Sequence, residues 1–137
     1  MQATVLGDTY AIDDALLDVD EPALRRQLAE YEAGERREFD VTVEFPDGFR
    51  GEIMRAMTAI PFGETRTYGD LAADLDSAGM AVGQACGANP IPVVVPCHRV
   101  VAVYSLGGFS AQGGTAAKRR LLEFERGEGP QSQLDAF

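Results

Sequence analysis

Apolar positions along this chain change spacing several times, and each change marks an element. From Thr4 to Ile12, β-branched and aromatic residues flank Gly7-Asp8, a pattern that predicts a short hairpin. Glu21-Pro22 then places proline in a first helical turn, where its missing N–H is not needed. Leu24, Leu28 and Tyr31 follow at i, i+4 and i+7 on one helical face, and Gly34 closes the helix. Asp40 to Phe45 switches to period two, with Val41, Val43 and Phe45 alternating with Thr42 and Glu44, and predicts a strand. Pro46-Asp47-Gly48 is a turn.

A second unit begins near Phe49. Ile53, Met54, Met57 and Ile60 have helical spacing, and Pro61-Phe62-Gly63 breaks that helix. Thr67-Tyr68-Gly69-Asp70 reads as a capping box, with Leu71 and Leu75 facing inward from the helix it starts. Asp76 to Gly79 is a turn, and Met80 to Ala88 is a compact helix of small residues. Two short helices across a tight turn resemble a helix-turn-helix, and tight packing in a core explains the small residues equally well. Val93 to Val95, set among Pro90, Pro92 and Pro96, read as a buried extended segment. Val95 is held extended by the following proline, which delivers Cys97 at a fixed turn. Val100 to Val103 reads as a strand, Tyr104 to Gly108 as a hairpin turn, and Thr115 to Arg126 as a last helix ended by Gly127. The predicted fold is α+β, mostly α. It comprises a shortened α/β appendage over residues 1–48, a helix-turn-helix unit over 49–127 and a frayed tail over 128–137.

Composition narrows the setting. The 137 residues are 45% apolar, enough for a globular core, and no apolar run reaches the roughly 18 residues of a membrane helix. The acidic start lacks the basic and apolar stretches of a secretory signal, which predicts a cytoplasmic protein. A net charge of −10 argues against a nucleic-acid partner until it is divided along the chain. Residues 1–48 carry −9, residues 49–127 carry +1, and residues 128–137 carry −2. Lys118 is the sole lysine. Abundant acid with almost no lysine resembles a halophile's composition, in which phosphate attraction is already screened at working salt. An acidic solvated face explains the same count. Two cysteines and one histidine are too few for a closed zinc site, so no metal is expected.

The candidate chemistry lies at Cys97. A thiol attacks only as thiolate, so it needs exposure and a base or a positive field. His98 is adjacent, but neighbours on an extended turn point apart, which makes a bridging water more plausible than direct contact. An imidazole needs a partner to fix its tautomer. On the last helix, Ala117, Leu121, Leu122 and Phe124 form an apolar stripe, and Glu125 falls on it. Glu125 is then either a buried partner for His98 or an edge residue reaching solvent. A small buried hydrophobe remains the alternative for Cys97, and is the expected fate of Cys86.

Pro96-Cys97-His98-Arg99-Val100 resembles the active-site signature of O6-alkylguanine-DNA alkyltransferases. Ile60 to Tyr68, Ala81-Val82-Gly83, Asn89-Pro90-Ile91-Pro92 and Lys118 to Gly127 resemble that family's other motifs, so the likeness spans about residues 49–127. It implies a winged helix-turn-helix that binds double-stranded DNA through the minor groove, flips out O6-alkylguanine and keeps the alkyl group on Cys97. It also implies a monomer with no cofactor. Cys97 would be the acceptor, His98 a base acting through water, Glu125 its orienting partner and Asn89 a hinge. Tyr68 would press on the target phosphate. The carbonyls of Cys97 and Val100 would accept from the guanine amino group, and Ser110 would lie over O6. Thr67, Tyr68, Met80, Ala81, Gln84 and Arg99 form the set expected on the DNA side, with Arg99 also expected to brace the fold through buried hydrogen bonds.

Three features depart from the family pattern. Met80 stands where an intercalating arginine is usual, so it can wedge but cannot hydrogen-bond the orphaned cytosine. The loop from Ser110 to Ala117 is longer, and Met54 replaces a common tryptophan. The competing readings are a non-catalytic alkyltransferase-like lesion binder, a winged-helix transcription factor and a cysteine hydrolase. Cys97 argues against the first. Gln84 alone on the second helix could read base edges, which argues against the second.

Overall fold

The computed structural model describes residues 1–109 and 113–127. It opens with an antiparallel hairpin, β1 (Gln2–Val5) and β2 (Asp8–Ala11), in which Gln2 faces Ala11 and Val5 faces Asp8. Leu6 and Gly7 both take positive φ, 53° and 87°, the mirror-image turn whose twist suits a hairpin. A single 3-10 turn, Asp14–Leu16, leads towards α1 (Glu21–Glu32). Its start follows from its sequence: the Asp20 carboxylate accepts from the Ala23 amide at 2.9 Å, and Leu24, Leu28 and Tyr31 are buried.

The strand expected over Asp40 to Phe45 is reduced to one bridge, between Leu17 and Val43. The alternation survives, with Val41, Val43 and Phe45 half-buried and Thr42 and Glu44 exposed. The pairing goes no further because the Asp18 side chain, not its backbone, accepts the Thr42 amide at 2.6 Å. α2 (Phe49–Thr58) begins after Gly48 and buries Ile53, Met54 and Met57. A Cβ at Gly51 would collide with the Pro46 carbonyl, so the chain can fold back over this helix only at glycine.

β3 (Arg66–Thr67) runs into α3 (Tyr68–Asp74) through the predicted capping box. Thr67 Oγ1 accepts from the Asp70 amide at 3.0 Å, and an Asp70 carboxylate oxygen accepts from the Thr67 amide at 2.9 Å. A tight turn joins α3 to α4 (Gly79–Gly87); the two pack on each other, and α4 packs on α2.

Val93 to Val95 are buried as expected, but the segment is not extended throughout. Val93 has φ 73°, a left-handed conformation that costs a β-branched residue about 1–3 kcal/mol. The reason is donor satisfaction. Three prolines remove amides here, and a tight turn lets the Val95 amide reach the Ile91 carbonyl at 2.9 Å. Cys97–Arg99 then form a 3-10 turn, followed by β4 (Val100–Val101), which pairs in parallel with β3. α5 (Gly114–Arg126) closes the described fold, ended by Gly127 at φ 73°.

One continuous core contains residues of β1, β2, α1, α2, α3, α4, the Ile91–Cys97 segment and α5. Residues 1–48 are thus built into the same core as the rest. Among the described residues, no helix is long and apolar enough to cross a membrane. The tail expected over 128–137 lies outside the described residues.

Candidate active site

Cys97 sits in a cavity of about 480 Å³ lined by Tyr68, Gly79, Gly83, Cys86, Gly87, Gly108 and Phe109. Gly79, Gly83 and Gly87 lie at i, i+4 and i+8 on one face of α4. A Cβ on Gly79 or Gly83 would meet nothing within 4 Å, so the bare backbone of this face is what opens the space. The sulfur is less accessible than its chemistry suggested, since Cys97 is only 7% exposed. Burial pushes its thiol pKa up, against the opposing pull of the Asn89 amide and the Lys118 ammonium. At rest it is a thiol. Cys86, expected to be a plain buried hydrophobe, is buried but shares the same cavity, and burial pushes its thiol up to about 12.

His98 is fully buried, and its Nε2 lies 2.7 Å from Glu125 Oε2. Glu125 is the buried partner, not the solvent-reaching edge residue. Its carboxylate also accepts from Arg99 Nε at 2.8 Å and Nη2 at 3.0 Å, and from the Tyr31 hydroxyl at 2.6 Å. Burial alone would raise this carboxyl, but the hydrogen bonds from His98 and Arg99 outweigh it and hold Glu125 well below the usual carboxylate range. Burial lowers the His98 pKa more than Glu125 raises it, so the imidazole is neutral. An ionised Glu125 accepts the Nε2 proton, which leaves Nδ1 as a free base. Among the described residues, His98 Nδ1 is buried with no hydrogen-bond partner.

Asn89 ties α4 to the turn that carries Cys97. Its Nδ2 donates to the Val95 carbonyl at 2.8 Å, and its Oδ1 accepts from the Ile91 amide at 3.2 Å. Lys118 is a residue the sequence reading missed as part of the site. It is fully buried, and its Nζ donates to the carbonyls of Val100 at 2.6 Å and Gly108 at 3.0 Å and to the Tyr68 hydroxyl at 3.3 Å. Burial pushes its pKa down to about 8. The available signal was position: Lys118 lies on the apolar stripe of α5, three residues before Leu121 and four before Leu122. Tyr31 was also missed. Its ring packs against Phe39, Phe62 and Phe124 at 5.7, 6.0 and 5.4 Å, and nothing in a chain separation of 94 residues announced its bond to Glu125.

The residues expected on the DNA side divide. Met80 is 79% exposed, Gln84 is exposed, and Ala81 is half-buried on the same helix. Thr67 and Tyr68 are half-buried at the start of α3. No Asp, Glu, Lys or Arg occurs from Ser77 to His98, so this face carries none of the chain's excess acid. Arg99 is a correction: it is buried, and its guanidinium is committed to Glu125 and to the Ile60 carbonyl at 2.7 Å, so it faces no surface. Its role is the bracing one. The Val100 carbonyl already accepts from Lys118, which leaves one lone pair for another donor. Ser110 lies outside the described residues. Among those described, no group of three or more His, Cys, Asp or Glu could hold a metal ion.

The family model for the DNA-binding domain of 6-O-methylguanine DNA methyltransferase matches residues 48–127. A methylated-DNA–protein-cysteine methyltransferase of Mycobacterium bovis is 44% identical over 108 residues, 76% of this chain and 64% of that protein. One from Archaeoglobus fulgidus is 38% identical over 105 residues, 73% of this chain and 71% of its own length. The chain thus spans just under two thirds of the mycobacterial relative. The crystal structure of Mycobacterium tuberculosis OGT in complex with DNA superposes with a TM-score of 0.73 at 41% identity, covering 80% of this chain and 68% of that one. With its DNA-binding domain matched over residues 48–127, a stretch that carries Cys97 and the bonded His98–Glu125 pair, the chain belongs to the 6-O-methylguanine DNA methyltransferase family.

Proposed function

We propose that this chain repairs O6-alkylguanine in duplex DNA by moving the alkyl group irreversibly onto Cys97, once per molecule. The observation that carries this reading is the buried Glu125–His98 pair, its Nδ1 unpartnered among the described residues, next in the chain to a thiol that lines a cavity. The thiol proton passes through a water to His98 Nδ1. The thiolate sulfur attacks the alkyl carbon, the bond from that carbon to O6 breaks, and its electron pair goes to the guanine. The thiol's proton finally replaces the lost group on the guanine ring. The thioether is stable, so the molecule is consumed.

The base must leave the stack to reach Cys97. α3 and α4 serve as a winged helix-turn-helix in which the glycine-lined, uncharged face of α4 enters the minor groove. Met80 acts there as an apolar wedge. Thr67, Ala81 and Gln84 contact the strand, and Tyr68 presses on the target phosphate. Asn89 works as the hinge, while the Val100 carbonyl and Ser110 recognise the guanine. The lesion is thus read as a shape that fits the cavity, by a cytoplasmic monomer whose acidic remainder suits a high-salt setting. Residues 49–127 form the alkyltransferase unit, and residues 1–48 brace it.

The test is intact-protein mass spectrometry after mixing with duplex DNA containing O6-methylguanine, at low and high salt. Wild type gains one methylene on Cys97 with one-to-one stoichiometry, and Cys97→Ser gains nothing. Retained lesion binding with no adduct would instead make this a non-catalytic lesion binder. Repeated turnover without an adduct would make it a hydrolase.

A further inference from the structure

Among the described residues, three large apolar side chains are exposed: Met80 at 79%, Val103 at 70% and Tyr104 at 99%. A lone exposed apolar residue is ordinary, but a contiguous exposed pair beside a functional cavity marks a contact surface. Met80 belongs to α4. Val103 and Tyr104 take no part in the chemistry at Cys97.

The pair forms the tip of a tight turn whose base is held on both sides. Before the tip, β4 pairs with β3 so that Val101 faces Thr67, the N-cap of α3. Across it, Ala102 and Ser105 bridge antiparallel, and Ser105 Oγ accepts from the Gly107 amide at 3.3 Å. After it, Gly107 holds φ at 74°, and a Cβ there would come within 2.7 Å of the Tyr68 ring. The Gly108 carbonyl accepts from Lys118 Nζ at 3.0 Å. Tyr68, Gly108 and Phe109 line the cavity that holds Cys97, together with three glycines of α4. The tip thus rises from the stretch that forms one part of the cavity wall, and Met80 from the helix that forms another.

Charge narrows the choice of partner. From Ser77 to Ala117 the only Asp, Glu, Lys or Arg is Arg99, which is buried against Glu125. The tip and α4 therefore offer no cation to a phosphate and no acid to repel one. What the tip offers is an aromatic face, carried by a side chain that loses little freedom on contact. Nucleic-acid bases stack on such a face whatever their identity. The stretch matched by the family's DNA-binding domain, residues 48–127, includes this turn.

We propose that Tyr104 is a nucleic-acid contact: while Met80 engages the DNA at the lesion, the Tyr104 ring stacks on an exposed base of the same DNA, and Val103 packs on the adjoining sugar. Affinity gained this way owes nothing to phosphate charge, so it persists in salt that screens ion pairs. In a chain of net charge −10, it holds DNA without relying on cations. The inference rests on the reading of this chain as a DNA-lesion protein, and adds to it a contact that is blind to base sequence.

The test follows the fluorescence anisotropy of a labelled duplex carrying one O6-methylguanine, with Cys97→Ser in every protein so that no transfer intervenes. Tyr104→Ala should weaken binding about tenfold, within the range of one base–aromatic contact. That factor should stay the same from about 0.1 M to about 1 M KCl, because the contact releases no counterions. Tyr104→Phe should bind as tyrosine does, and Tyr104→Leu should lose most of what alanine loses. Unchanged binding by Tyr104→Ala overturns the proposal, as does an equal loss in Tyr104→Phe or a loss that vanishes at high salt. So does a DNA-free self-association that Tyr104→Ala abolishes with DNA affinity intact, which would make the tip a contact between copies of the chain. With Cys97 restored, Tyr104→Ala should react with free O6-benzylguanine at the wild-type rate. A slower reaction would mean that the turn shapes the cavity instead of contacting DNA, and would also overturn the proposal. A wild type inert to that reagent would refute alkyl transfer itself, whatever the DNA titration showed.

Discussion

Glu125 shows how far a single residue depends on its surroundings. Its two oxygens accept four hydrogen bonds, from Tyr31, His98 and Arg99, in a place where a carboxylate without donors would not stay ionised. Arg99 balances its charge, so His98 can remain neutral and basic. The Tyr31 hydroxyl is the one contribution from α1. Tyr31→Phe should cost about 1.5–3 kcal/mol in a urea titration, the usual worth of a hydrogen bond to a buried charge. It should also slow modification of Cys97. A variant as stable as wild type would mean that the 2.6 Å contact contributes nothing. Periodicity on α5 put Glu125 on the buried stripe, but its partners come from elements far away in the chain.

At the scale of elements, α4 joins two properties the sequence displayed separately. Its small residues were equally consistent with core packing and with close approach to a ligand, and the fold uses both faces. Val82, Ala85 and Cys86 are buried, while Gly79, Gly83 and Gly87 line the cavity. Met80 stands exposed beside that opening. Met80→Arg restores a side chain able to hydrogen-bond an unpaired base. It should raise the rate on duplex O6-methylguanine DNA on the order of tenfold, about 1.4 kcal/mol of flipping free energy. The rate with free O6-benzylguanine should not move, because that substrate needs no flipping. Equal acceleration of both would exclude a wedge at this position. The capping box and the hairpin were legible because their signals are local. The Val93 turn was not, since valine gives no local warning of a positive φ.

The whole molecule converts the buried cluster into a response to pH. His98 is held neutral, with a pKa below its ordinary 6.5, and Glu125 is held ionised, with a pKa below its ordinary 4.5. In both cases the unfolded chain binds a proton that the folded chain refuses, so stability falls as pH falls. The first loss begins near pH 6.5, where unfolded His98 takes up its proton, and the second below about pH 4.5, where unfolded Glu125 does. Thermal unfolding followed from neutral pH downward should show this decline, and Glu125→Gln should remove its lower part. A thermal midpoint flat across both ranges would contradict the burial of an uncharged imidazole against an ionised carboxylate.

The sequence by itself determined most element positions, the thiol, its adjacent imidazole and the stripe that carries Glu125, because helical period, caps and turns are local physics. Only the tertiary structure decided that Arg99 is buried and not at a surface, that Lys118 reaches the Val100 carbonyl, and that Tyr31 from the least familiar part of the chain reaches Glu125. Those pairings join residues far apart in sequence. They exist because every polar group taken into the core must find a partner there, and the partner is whichever residue the packing brings near.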